Sequence, residues 1–172
     1  MCAKVQTDEL NNSMKQNLAD DKYLTFWIDQ QLFGFPALEV AQIVGMQQIT
    51  PIPEFPHYAK GIINLRGEII PVIDMRLRLH RKEAAYDERT CIVVTTIKEN
   101  LIGLIVDTVE EVSEITQGQI SPPPKLTNDR TNVFLTGVAQ LEEKIILLVN
   151  TEKILTEDEL AVVLKTSEGE NE

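Results

Sequence analysis

"GIINLRGEIIPVID", residues 61–74, places Arg66 and Gly67 between two nearly continuous apolar runs. Paired strands over 62–65 and 69–73 account for this arrangement. The charge and the glycine then fall at the reversal, where glycine takes positive φ and the arginine reaches water. The tip so formed either keeps the hairpin soluble or docks onto something. Pro71 has no N–H to give to a ladder, so its strand is expected at a sheet edge or beside a bulge.

The same pattern returns later in the chain. "GVAQLEEKIILLVNT" aligns Gly137 with Gly61, Leu141 with Leu65, Ile145 and Ile146 with Ile69 and Ile70, and Asn150 with Asp74. Upstream, "FGFPALEVAQI" aligns with "IGLIVDTVEEV", matching Gly34 with Gly103, Val40 with Val109 and Ile43 with Val112. Two matches in the same order at nearly the same offset indicate an internal duplication. Two β units are therefore expected, at 21–82 and 83–150, joined through "HRKEAAYDER" and forming one domain over 21–165. Polar stretches at 1–20 and 166–172 read as disordered tails. "YLTFWI" (23–28), "TCIVVTTI" (90–97) and "KIILLVN" (144–150) carry strand signatures. The one clear helix falls in 151–165. Thr156 and Glu159 form a capping box there, and Leu155 can staple Leu160.

A unit of about 65 residues is marginal alone. Ile62 with Ile63, Ile69 with Ile70, and the run 145–149 are apolar on both strand faces, so both faces need cover. One face is expected to fill a small barrel and the other to meet the sister barrel, with a groove between them.

Composition excludes several functions. Sixteen basic and 27 acidic residues give a net charge of −11, and aromatics make up 5%, a poor footing for nucleic acid binding. One segment runs against that balance: 60–82 holds Lys60, Arg66, Arg76, Arg78, Arg81 and Lys82 against Glu68 and Asp74. No apolar run approaches the roughly 20 residues of a membrane span. Cys2 and Cys91 cannot build a disulfide framework or a zinc cluster, and the cytoplasm is the expected compartment. No phosphate-binding glycine loop, dinucleotide fingerprint or nucleophile elbow occurs. His57 and His80 read as surface residues, Asp74 and Asp107 as strand terminators, and Trp27 as core or interface. "SPPPKL" (121–126) reads as a stiff connector. The chain thus offers no catalytic residue, metal ligand or cofactor site, and a small hydrolase finds no set of titratable groups to build on.

"GIINLRGEIIPVIDMR" resembles the signature segment of the CheW family, the coupling proteins of bacterial chemotaxis. The resemblance runs from Tyr23 to Leu155 through "FGFPALEV", "GLIVDTVEEV", "FLTGVAQ" and "IILLVNTEKIL". It implies a mainly β protein with a short C-terminal helix, built from two SH3-like five-stranded β-barrels side by side and without enzymatic activity. The implied role is that of an adaptor coupling the cytoplasmic tips of chemoreceptors to the regulatory domain of the histidine kinase CheA, with further copies of itself as additional partners. A related adaptor role in another chemosensory system, governing pili or of CheV type, is the alternative. Recruitment to membrane-associated receptor arrays follows, without insertion into the membrane. The resemblance assigns binding roles to Val40, Gln42, Ile43, Gly61, Arg66, Gly67, Gly103 and Val112. Gln42 departs from the glutamate common at its position, which removes a charge. The groove between the barrels, lined by Val40, Ile43 and Val112, is expected to accept a receptor helix.

Overall fold

Four hairpins set the frame of the fold, and each reverses in two residues. In the computed structural model, which describes residues 21–123 and 134–170, strands β1 (Lys22–Ile28) and β2 (Gln31–Pro36) turn at Asp29 and Gln30. β4 (Ala59–Leu65) and β5 (Glu68–Asp74) turn at Arg66 and Gly67, and β6 (Cys91–Ile97) and β7 (Asn100–Val106) at Lys98 and Glu99. β10 (Leu135–Leu141) and β11 (Lys144–Val149) turn at Glu142 and Glu143. In the first three hairpins both turn residues have positive φ, the backbone twist that matches paired strands. Single strands β3 (Val40–Gly45) and β8 (Thr108–Glu114) and the two-residue β9 (Ile120–Ser121) complete the sheets. Helix α1 (Met75–Arg78) follows β5, and α2 (Glu157–Glu170) closes the described chain.

The strands form two sheets, ordered β8-β1-β2-β11-β10-β9 and β3-β6-β7-β5-β4. Apart from the short β9, one order maps onto the other when β1, β2, β8, β10 and β11 are exchanged for β6, β7, β3, β4 and β5. The duplication seen in the sequence is therefore structural, and it has an unexpected form. The β1–β2 hairpin of the first repeat sits in the sheet of the second, parallel to β11 through Gly34 and Leu148. The β6–β7 hairpin of the second repeat sits in the sheet of the first, parallel to β5 through Gly103 and Val72. A division at residue 82 consequently cuts through both sheets, and the expected consecutive units 21–82 and 83–150 are replaced by two interleaved ones. The fold class is as expected, two SH3-like barrels side by side, although one sheet gains β9 as a sixth strand.

Strand alternation explains the apolar runs. Ile63, Ile70, Val72, Ile92, Val94 and Ile105 fill one barrel. Leu32, Ile115, Ala139, Ile146 and Leu148 fill the other. The opposite faces of the same strands form the largest cluster, in which Phe26, Phe33 and Phe35 meet Ile73, Val93 and Leu104. Each such side chain contributes about 1.5–3 kcal/mol on burial, so this central cluster welds the barrels together.

Three local expectations are resolved. Pro71 lies in an interior strand, not at an edge; it precedes the β5–β7 pairing, which starts at Val72, and lies next to the register shift opposite Ala59 and Gly61. The capping box forms, with Thr156 N–H donating to Glu159 Oε1 at 2.9 Å and Glu159 N–H to Thr156 Oγ1 at 3.1 Å. The helix then runs to Glu170, into the stretch 166–172 that was expected to be a tail. The tail expected at 1–20 and the second half of "SPPPKL" (124–126) lie outside the described residues. No helix among the described residues is long and apolar enough to cross a membrane.

Candidate protein-binding site

The β4–β5 tip is built locally. Asn64 Oδ1 accepts the Gly67 N–H at 2.8 Å, and Arg66 holds φ 56° on the turn with its side chain exposed. Half of the basic residues in the segment around it are neutralised within the fold. Lys60 pairs with Glu83, Arg76 with Asp107, and Arg78 with Glu159. Arg66 has no ion-pair partner among the described residues, so its charge is directed outward.

The other residues assigned by resemblance occupy two further environments. Val40 and Gln42 on β3 and Val112 on β8 lie on outermost strands of different sheets and are partly exposed. Val40 and Val112 both lean on the central cluster. Ile43, Gly61 and Gly103 are interior. Ile43 is 1% exposed and belongs to the core, so it cannot line an open groove. Gly61 has φ 144°, and a Cβ there would stand 2.1 Å from the Thr50 carbonyl oxygen. A Cβ on Gly103 would stand 2.7 Å from Val72 Cγ1. These two glycines shape the barrel.

The seam between the barrels is filled by core side chains over most of its length. A cavity of about 550 Å³ is lined by Trp27, Asp74, Arg76, Tyr86, Ile105 and Asp107 among others. This differs from the expected lining of Val40, Ile43 and Val112. Asp74 is 1% exposed and caps α1, accepting from the Arg76 and Leu77 N–H groups, and the Tyr86 hydroxyl donates to it at 2.7 Å. Burial, reinforced by that carboxylate, pushes the Tyr86 hydroxyl pKa up. Arg76 donates through Nε and Nη2 to the two oxygens of Asp107 at 2.8 and 2.6 Å, and the Asp29 N–H adds a third bond at 2.9 Å. Trp27 Nε1 donates to Glu110.

At a second joint the Arg78 guanidinium lies 4.7 Å from the Tyr58 ring centroid and 4.9 Å from that of Phe134. It donates to the Ile154 carbonyl and to Glu159 Oε1. Tyr58 donates to Glu159 Oε2 at 3.1 Å, and burial together with that carboxylate pushes its pKa up to about 12. Burial alone would raise the Glu159 pKa, but the Thr156 N–H, Arg78 and Tyr58 outweigh it and hold the carboxyl below its ordinary value.

Sequence reading missed both joints. Asp74 and Asp107 were legible as strand ends, but their partners were not, because Arg76 and Asp107 are 31 residues apart in the chain. His57 is exposed and stacks edge-on against Tyr58. No group of His, Cys, Asp and Glu among the described residues is placed to hold a metal ion.

Two exchanged SH3-like barrels, carrying an outward-facing basic tip and partly exposed outer strands, make up a module suited to binding other proteins. The comparisons with known proteins are specific about which module. A CheW-like domain family model matches residues 22–159. The chemotaxis protein CheW of Klebsiella aerogenes is 35% identical over 142 residues, covering 83% of this chain and 86% of the relative. That of Thermotoga maritima is 31% identical over 144 residues, covering 81% and 91%. The crystal structure of the scaffolding protein TtCheW from Thermoanaerobacter tengcongensis superimposes with a TM-score of 0.75 at 34% identity, covering 82% of this chain and 96% of that one. The chain belongs to the CheW family.

Proposed function

We propose that this chain is a chemotaxis scaffold, an adaptor that couples the cytoplasmic tips of chemoreceptors to the regulatory domain of the histidine kinase CheA. It acts by binding, makes and breaks no covalent bond, and works in the cytoplasm at membrane-associated receptor arrays. The observation that carries this reading is the family match across nearly the whole described chain, together with relatives named as chemotaxis and scaffolding proteins.

Within that role, Arg66 and Gly67 form the contact for the kinase assembly, supported by the exposed guanidinium, without an ion-pair partner among the described residues, on a turn fixed by Asn64. Val40, Gln42 and Val112 supply the receptor-facing surface from the outer strands. Ile43, Gly61 and Gly103 serve indirectly, by holding those strands in shape. Individual contacts of this kind are weak, because association costs several kcal/mol in lost freedom; repeated copies in an array supply the strength.

The test is a pull-down of the purified chain with the CheA regulatory domain and a receptor cytoplasmic tip, separately and together. Capture of both, with each improving retention of the other, is expected. Capture of neither would reject the adaptor reading.

A further inference from the structure

Each half of the chain contains what the other half lacks. The first half supplies hairpins β1–β2 and β4–β5 and the single strand β3. None of these three pairs with another: β1–β2 lies between β8 and β11, and β6–β7 separates β3 from β5. The second half repeats the arrangement, with β1–β2 separating β8 from β11. Apart from the two-residue β9, which pairs with β10 inside the second half, every ladder that joins one of these pieces to the rest of a sheet therefore crosses between halves. An isolated two-stranded hairpin is at best marginally stable in water.

The cores divide in the same way. Ile63, Ile70 and Val72 of the first half close one barrel only with Ile92, Val94 and Ile105 of the second. Two polar joints, Arg76 with Asp107 and Arg78 with Glu159, also span the halves. The connector contributes no strand. Its front part is tied to the first half, through Lys60 with Glu83, Arg76 Nη1 to the Lys82 carbonyl and Tyr86 to Asp74. Its rear part is a local turn in which the Thr90 hydroxyl accepts the Asp87 N–H at 2.9 Å. The boundary between the two anchorages falls between Tyr86 and Asp87.

We infer that residues 21–86 and 87–164 are mutually specific binding partners, and that the covalent link between them is not required to hold the fold. The seam buries a continuous apolar core of the kind found in obligate interfaces.

The experiment inserts a protease recognition sequence between Tyr86 and Asp87 of the full chain, with a second variant carrying it between Ala84 and Ala85. Both uncut proteins serve as their own controls by thermal unfolding. After cleavage of the native protein, the two pieces are expected to co-elute at the position of the uncut chain. Unfolding stays a single transition, but its midpoint now rises with protein concentration, as mass action requires of a two-chain complex. Separation of the pieces on gel filtration, from either variant whose uncut form melts as the parent does, overturns the inference. So would a midpoint that is independent of concentration.

Discussion

Gly103 and Val72 are register partners in the parallel pairing of β7 with β5, and the absent side chain of Gly103 is what leaves room for Val72 Cγ1. Gly34 stands in the same relation to Leu148 in the other barrel, where an added Cβ would meet Leu148 Cδ2 at 3.2 Å. Gly103→Ala is therefore expected to destabilise the protein by about 1–3 kcal/mol through overpacking. Val72→Ala in the same chain should recover part of that loss, and a double-mutant cycle by urea denaturation measures it. Strictly additive effects would show that the contact is not the cause.

Gly61→Ala should cost more. Positive φ and the approach of the Thr50 carbonyl both oppose a side chain there, and the Thr50–Ile62 bridge, with N–H···O distances of 2.9 Å in each direction, would have to open. Loss of several kcal/mol is expected, roughly the sum of a strained backbone and two hydrogen bonds. An unchanged melting temperature would rule this account out.

The Glu159 joint makes stability depend on pH with a defined sign. Its folded pKa is depressed, so the carboxylate's contribution is fully present above the unfolded value and is lost as pH falls through the folded one. Glu159→Gln keeps an acceptor for the Thr156 N–H but removes the charge facing Arg78. The variant should be about 1.5–3 kcal/mol less stable than the parent at neutral pH, as for a hydrogen bond to a charged group. The two proteins should converge as the pH drops below the ordinary carboxylate range. A difference that stays constant down to acid pH would show that Glu159 acts through shape alone.

Arg76→Lys retains the charge but loses the planar fork that grips both oxygens of Asp107. A loss of about 1 kcal/mol is expected, measured by denaturant unfolding. It should largely vanish when Asp107→Asn is already present. Equal effects in the two backgrounds would remove this pair from the joint.

Arg66→Glu should leave thermal unfolding within about 0.5 kcal/mol of the parent, as for an exposed residue away from the core. It should nonetheless weaken kinase activation in a reconstituted receptor assembly. Full activation by a folded variant would take Arg66 out of the binding surface.

The sequence disclosed what is local and concealed what is shared. The β4–β5 hairpin was legible because its tip interrupts two apolar runs, and the helix start because Thr156 and Glu159 stand at capping-box spacing. The hairpins turning at Asp29–Gln30 and Lys98–Glu99 gave no such signal, since no glycine or asparagine occupies their positive-φ positions. The duplication was visible from matched glycines, yet the exchange of hairpins was not. Gly34 and Gly103 look equivalent whichever barrel they join, and the choice of strand partner leaves no mark within either repeat. The same ambiguity cast Ile43 as a groove-lining residue, because a position that is sensitive through packing and one that is sensitive through contact look alike in a single chain.

Interleaving also sets an order on synthesis. As the chain leaves the ribosome, β1–β2 emerges first but must wait for β8, β10 and β11 before its sheet can assemble. The sheet of β3 to β7 has all its strands once Val106 is out, so the barrel begun second is the first that can close. Until then an apolar hairpin carrying Phe26, Phe33 and Phe35 stays uncovered, and this interval is when the nascent protein most needs a chaperone's shelter.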